Sequence, residues 1–368
     1  MRLVLSLAFL AGLPAPRAFY LPSPPVSTTS RVAAAPVRSF HSTELALALV
    51  VRRPEAPPSA EEKAASADDD VQQIASFEDL IRREKFQEVE ALLPPYLAAH
   101  PQSWKAYYFL GYVQLRQRKI GDSLKALAKS LELNPDNADA HSMLGRDLCI
   151  IGRYEFALRE YEEVLRLDPA SAETHYNIGR VYAIQDDFHN ARRELKTAIR
   201  LDANNMEAYN ALGFAMEALG DDAAAVEDYQ TAVRLNEAWQ GHFEAPYVNL
   251  GGYYNRRGNL DLAVEYASKA LALNPKADLA YFQIAKACRA RQDWKGVAQA
   301  LEEAIALNSS RAQYYYVLSA AYQKLGKIGE AQRAMARFQD MEKQTAEFER
   351  QRRDADRAKR GLELRPVE

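Results

Sequence analysis

Residues 139–149 read DAHSMLGRDLC, which puts two aspartates, a histidine, a serine and a cysteine on one short stretch. That is the ingredient list of a hydrolase. A second reading depends on what lies one period away. His141 has counterparts at Tyr107, His175 and Tyr209, each 34 residues from the next, and after one jump of 38 the series resumes at Tyr247, Tyr281 and Tyr315. Four residues beyond each stands a small side chain: Gly111, Gly145, Gly179, Gly213, Gly251, Ala285 and Ser319. A second small column runs Ser123, Ala157, Ala191, Ala225, Ala263 and Ala331, interrupted by Val297. Unit ends read LELNP, LRLDP, IRLDA, VRLNE, LALNP and IALNS, aligning Pro135, Pro169 and Pro275. Self-similarity at a fixed period of this length marks a repeat architecture.

The columns have a physical cause. Each unit carries two amphipathic helical segments, with Gly152, Gly220, Gly258 and Gly326 at the break between them, where a helix C-terminus turns left-handed. Small columns let one helix approach its neighbour closely, while the aromatic and leucine columns fill the remaining space. Proline at the unit's end stops one helix and suits the start of the next. One such pair buries too little apolar surface alone, so units stack on a shared core.

The pattern resembles the tetratricopeptide repeat (TPR) family over about residues 70–340. Period, small columns and terminal prolines agree over seven consecutive units, near 104–137, 138–171, 172–205, 206–239, 244–277, 278–311 and 312–341. A degenerate eighth unit precedes them at 70–103, where Phe86, Leu93, Tyr96 and Pro101 keep register. The resemblance implies an all-α fold, a right-handed α-solenoid of seven full repeats plus the degenerate one. The charged segment 342–368 reads as a solvated helix capping the last unit. In this register His141 is a packing residue, so His141→Tyr is expected to be tolerated, as Tyr107 and Tyr209 occupy equivalent places. Cys149 and Cys288 read as buried, inert packing residues too distant to bridge.

Catalytic and cofactor motifs are absent: the chain has no GxSxG, HExxH, P-loop or GxGxxG, and neither a cofactor nor a metal is expected. A net charge of −3 and a pI near 6.2 leave no electrostatic footprint for nucleic acid. No apolar run reaches the roughly 20 residues that span a bilayer. The resemblance instead implies a non-catalytic interaction scaffold, whose groove takes a peptide or helix of a partner protein. Places two, five and nine of each unit usually face that groove. Carried over, they give Tyr108, Tyr112, Arg146, Tyr176, Arg180, Asn210, Phe214 and Lys286, with Asn177 beside them. Arg146 and Arg180 hold equivalent places in adjacent units, so an anionic group is the natural ligand, and both are expected to be accessible. The plainer alternative is a solvated face where they pair with Glu173 and Glu207. Chaperone-binding members of the family need a Lys/Asn/Arg carboxylate clamp, but its places read Tyr108, Tyr112, Met143, Glu173 and Asn177, so that docking mode is not expected.

Two further regions complete the reading. Four extra residues within 236–247 add Trp239 and Phe243 to one inter-unit turn, either folded back over the joint or forming a secondary recognition surface. Residues 1–18 read as a signal peptide and 19–69, rich in Pro, Ser and Ala, as a disordered tether. The arrangement looks like that of exported bacterial TPR proteins, periplasmic or secreted, with a bipartite plastid signal as the alternative. A membrane-tethered envelope assembly factor and the regulatory arm of an enzyme complex are the other functional alternatives.

Overall fold

The computed structural model describes residues 70–363. The signal-peptide and tether expectations fall outside these residues. The described chain is an all-α solenoid of sixteen helices. It divides after Ala203 into two compact units.

The first unit holds α1 (Asp70–Arg82), α2 (Phe86–Ala99), α3 (Trp104–Arg116), α4 (Ile120–Leu133), α5 (Ala138–Ile150), α6 (Tyr154–Leu167), α7 (Ala172–Ile184) and α8 (Phe188–Leu201). The second holds α9 (Met206–Ala218), α10 (Asp222–Ala238), α11 (Ala245–Arg256), α12 (Leu260–Leu273), α13 (Asp278–Ala290), α14 (Trp294–Leu307), α15 (Ala312–Lys324) and α16 (Ile328–Glu363). Odd-numbered helices are the first of each pair and even-numbered ones pack back on them.

The small columns mark where the two helices of a pair touch. A Cβ at Gly145 would stand 2.6 Å from a Tyr161 ring carbon, and one at Gly179 would stand 2.7 Å from Leu195 Cγ. Real carbon atoms do not approach so closely, so these positions must lack a side chain. Ser123, the polar member of the second column, donates its hydroxyl to the Gly111 carbonyl at 2.9 Å and so remains satisfied when buried. Around these contacts Phe77, Leu93, Leu124, Leu127, Leu144, Leu148 and Tyr161 fill the core of the first unit.

The turn between paired helices recurs at one register. Gly152, Gly220, Gly258 and Gly326 have positive φ, and so do Glu84, Arg118, Asp186 and Gln292 at equivalent places. Each closes its helix in the same way: Gly152 N–H reaches the Cys149 carbonyl and Arg153 N–H the Leu148 carbonyl, while Arg118 and Lys119 repeat this on Leu115 and Gln114. The degenerate first pair thus keeps the turn geometry through Glu84. Side-chain caps start several helices: Asn137, Ser171, Asn205 and Asn259 each accept from a backbone N–H three residues on, satisfying donors the helix leaves over.

At the insertion, α10 runs to Ala238, seventeen residues where its equivalents have fourteen. Glu237 replaces the helix-stopping proline and the next helix starts later, so the extra residues partly become helix. Buried Asn236 then accepts from Phe243 N–H at 3.0 Å, closing the loop. The chain's end differs from the expected arrangement. No break occurs at 341–342: the charged segment is one helix with the last repeat, α16. Ala331 and Ala334 are buried where α16 packs on α15, the first helix of its pair. From Glu342 to Glu347 the side chains face solvent, with Gln344 on Asp340 and Gln351 on Glu347 one turn apart. No proline or glycine interrupts 330–360, so nothing in the sequence stops the helix.

Candidate functional site

The opening stretch forms α5 and holds no catalytic constellation. His141 packs in its column as expected, but as more than a ring. Its Nδ1 lies 2.6 Å from Glu160 Oε2 and its Nε2 lies 2.9 Å from the Pro135 carbonyl. Both partners are acceptors, so both ring nitrogens must donate, and only the imidazolium does that. Burial works against the charge, but the bonds from Glu160 and Pro135 prevail and the pKa is raised. His175 repeats the contact one unit on, with Nδ1 2.8 Å from Glu194 Oε2.

The expected tolerance of His141→Tyr is therefore corrected. Tyrosine fits the column, but it leaves the largely buried Glu160 carboxylate without its cationic partner. The raised pKa adds stability that is fully present below the ordinary histidine value near 6.5 and is lost as pH rises through the folded value. His141→Tyr should thus cost about 1–3 kcal/mol at pH 5.5 and less at pH 9. Urea unfolding at both values measures this, and a pH-independent cost would contradict the imidazolium assignment.

Asp147 stands six residues further along the same helix. Asp147 is 0% exposed, and neither carboxyl oxygen finds a hydrogen-bond partner within ordinary distance among the described residues. Burial pushes its pKa up to about 7, against the opposing influence of Ser123 and the Arg146 charge. The missed signal was columnar: Val113, Val181 and Ala215 occupy the equivalent place, so the aspartate stands in an apolar row. Cys149 beside it is buried and free. Burial raises the thiol to about 11, with Tyr161, Arg180 and Arg146 pulling the other way. That protonated thiol is inert, as expected. Cys288 is free but only half-buried.

The partner-facing positions divide between the two units. In the first, Tyr108, Tyr112, Arg146, Tyr176, Asn177 and Arg180 sit on α3, α5 and α7. All six are buried, with Arg146 8% and Arg180 5% exposed. This corrects the expectation that the arginines are accessible. The alkyl stem of a long side chain can be covered even as it lines the face. Arg180 stacks on Tyr176, 5.4 Å from the ring centroid. The Arg146 charge acts on the phenols of Tyr108 and Tyr112, both raised chiefly by burial. Arg146 and Arg180 both act on Tyr161, whose phenol is raised mainly by burial. Arg146 Nη1 and Asn177 Nδ2 are buried donors with no hydrogen-bond acceptor among the described residues.

In the second unit Asn210 is buried and accepts from Asn249 Nδ2 at 2.8 Å. Phe214 and Lys286 are half-buried. Trp239 is 62% exposed, so it does not fold back over the joint, whereas Phe243 is half-covered.

Models of the tetratricopeptide repeat match residues 75–138, 207–238 and 245–277, and a model described as TPR repeat matches 145–186 and 179–220. The chain belongs to the tetratricopeptide repeat family. No curated protein sequence matches it. A TPR protein of known structure from Parabacteroides merdae ATCC 43184 is similar at 16% identity and TM-score 0.59, over 68% of this chain and 97% of that one. The structure of the APC/C hetero-tetramer Cut9–Hcn1 is similar at 21% identity and TM-score 0.51, over 67% of this chain and 48% of that one. TPR proteins are in general non-catalytic scaffolds for protein interactions. Among the described residues no helix is long and apolar enough to cross a membrane.

Proposed function

We propose that this TPR chain is a non-catalytic scaffold that binds an extended segment of a partner protein along its first helices. The observation that carries the reading is the pair of buried donors, Arg146 Nη1 and Asn177 Nδ2, without acceptors among the described residues. A buried unpaired donor costs about 1–3 kcal/mol. A carbonyl or carboxylate of a bound segment would recover that cost. The apolar start of residues 1–18 supports export from the cytoplasm as the setting.

Because both arginines are buried, truncation to alanine removes packing as well as charge. The informative variant is Arg146→Met/Arg180→Met, which keeps the stems. Crosslinked capture from native cells should fall at least about tenfold, the effect of about 1.4 kcal/mol of lost binding energy. Added salt should change capture only weakly, since buried charges are poorly screened. Capture equal to wild type by the doubly substituted chain would refute this role.

A further inference from the structure

The second helices of several repeats pair their surface charges within a turn. On α4, Lys125 meets Asp122 and Lys129 meets Glu132; on α6, Arg166 meets Glu163; on α12, Lys269 meets Glu265. In composition α4 balances two acids with two bases, and α6 carries four acids against two bases. The sequence of α8, FHNARRELKTAIRL, instead sets four bases and a histidine against a single acid. That acid, Glu194, is largely covered and is shared between His175 of α7 and Arg193.

His189, Arg193, Lys196 and Arg200 are all exposed. Their spacing of four, three and four residues puts them on one face of the helix, in a row about 16 Å long. Asp187, the N-cap, lies near His189 and Arg193 but holds the backbone and side-chain amides of Asn190. Among the described residues, neither Lys196 nor Arg200 forms an ion pair. Folding does not account for this row. Like charges one turn apart destabilise a helix, and the macrodipole favours cations only in the last turn, where Arg200 stands alone. The other face of α8, with Ala191, Leu195 and Ala198, is buried in the repeat.

We propose that His189, Arg193, Lys196 and Arg200 form a second docking surface, which takes an acidic helix of a partner protein. Glutamates at the same four-three-four spacing would oppose the cations one for one. Leu201, 40% exposed at the end of α8, adds an apolar contact. Among the other second helices of the first unit, α2, α4 and α6 carry no net positive charge. The positive row is thus one helix wide, which suits one helix better than a membrane or a nucleic-acid duplex. A bilayer would also need an apolar face to bury, and that of α8 is already packed. Because the row lies on a second helix, a segment held along the first helices leaves it free.

Two fluorescent, alanine-rich helical peptides of one composition, titrated into the full chain at low salt, test this. One carries four glutamates at four-three-four spacing; the other has them spread around the helix. The aligned peptide should bind about tenfold or more tightly, and the difference should shrink as salt rises, because the row is exposed. The preference should disappear in Lys196→Glu. That change places an acid one turn from Arg192 and from Arg200, so the urea midpoint should not fall. The preference should persist in Arg146→Met/Arg180→Met, which alters first helices only. Equal binding of the two peptides, or a preference surviving in Lys196→Glu, overturns the docking surface. Phosphatidylserine vesicles and a DNA duplex are the competing polyanions. Displacement of the aligned peptide by either, at an equal concentration of anionic groups, overturns the acidic helix as the occupant.

Discussion

Asp147→Val should make the protein more stable, by about 2–4 kcal/mol at pH 8, although it deletes a charged residue. The carboxyl is fully buried, and burial raises its pKa from 3.8 to about 7. An acid whose folded pKa is raised contributes stability that is complete below its unfolded value and lost as pH rises through the folded one. The wild type should therefore weaken between about pH 4 and pH 7 from this residue and level off above. Valine is the natural substitute, because Val113 and Val181 fill the equivalent place in the adjacent repeats and are buried there. Urea unfolding at pH 4.5 and pH 8 should show the variant's advantage growing with pH. An equal effect at both values would mean that Asp147 is ionised and paired.

Gly179→Leu should act in the opposite direction, by more than about 3 kcal/mol. The new Cβ alone would meet Leu195 Cγ at 2.7 Å and Cδ2 at 2.9 Å, with the Ala191 carbonyl at 3.3 Å. Leu195 is itself completely buried and has nowhere to retreat, so α7 and α8 must separate and the column between them open. A melting temperature within about 2 °C of wild type would show that the small-residue column does not set the helix spacing.

Both effects follow from columns, and columns were what the sequence made legible. Spacing places Gly179 opposite a large residue because close helix approach admits only hydrogen at that point. The left-handed turn was legible only where glycine marks it. Glu84, Arg118, Asp186 and Gln292 adopt the same conformation, held there by the Schellman bonds around them at a modest backbone cost, and their residue types give no sign of it. Burial on the partner-facing side was not legible either. The register says which face Arg146 and Arg180 occupy, but their depth depends on how tightly first helices pack. His141 illustrates a further limit. Its column identified a buried ring, whereas its charge depends on Glu160, nineteen residues away on the second helix. Trp239 was uncertain for a related reason, since an insertion has no neighbouring repeat from which to read its environment.

The central claim is that partners bind along the first helices of the repeats. Amide hydrogen exchange on the full chain, alone and with a captured partner segment, tests it most directly. Protection should increase in α3, α5 and α7 or in α11 and α13, while the exposed faces of α4, α6, α8 and α12 remain unchanged. Protection confined to those second helices, or to the loop carrying Trp239, would contradict it.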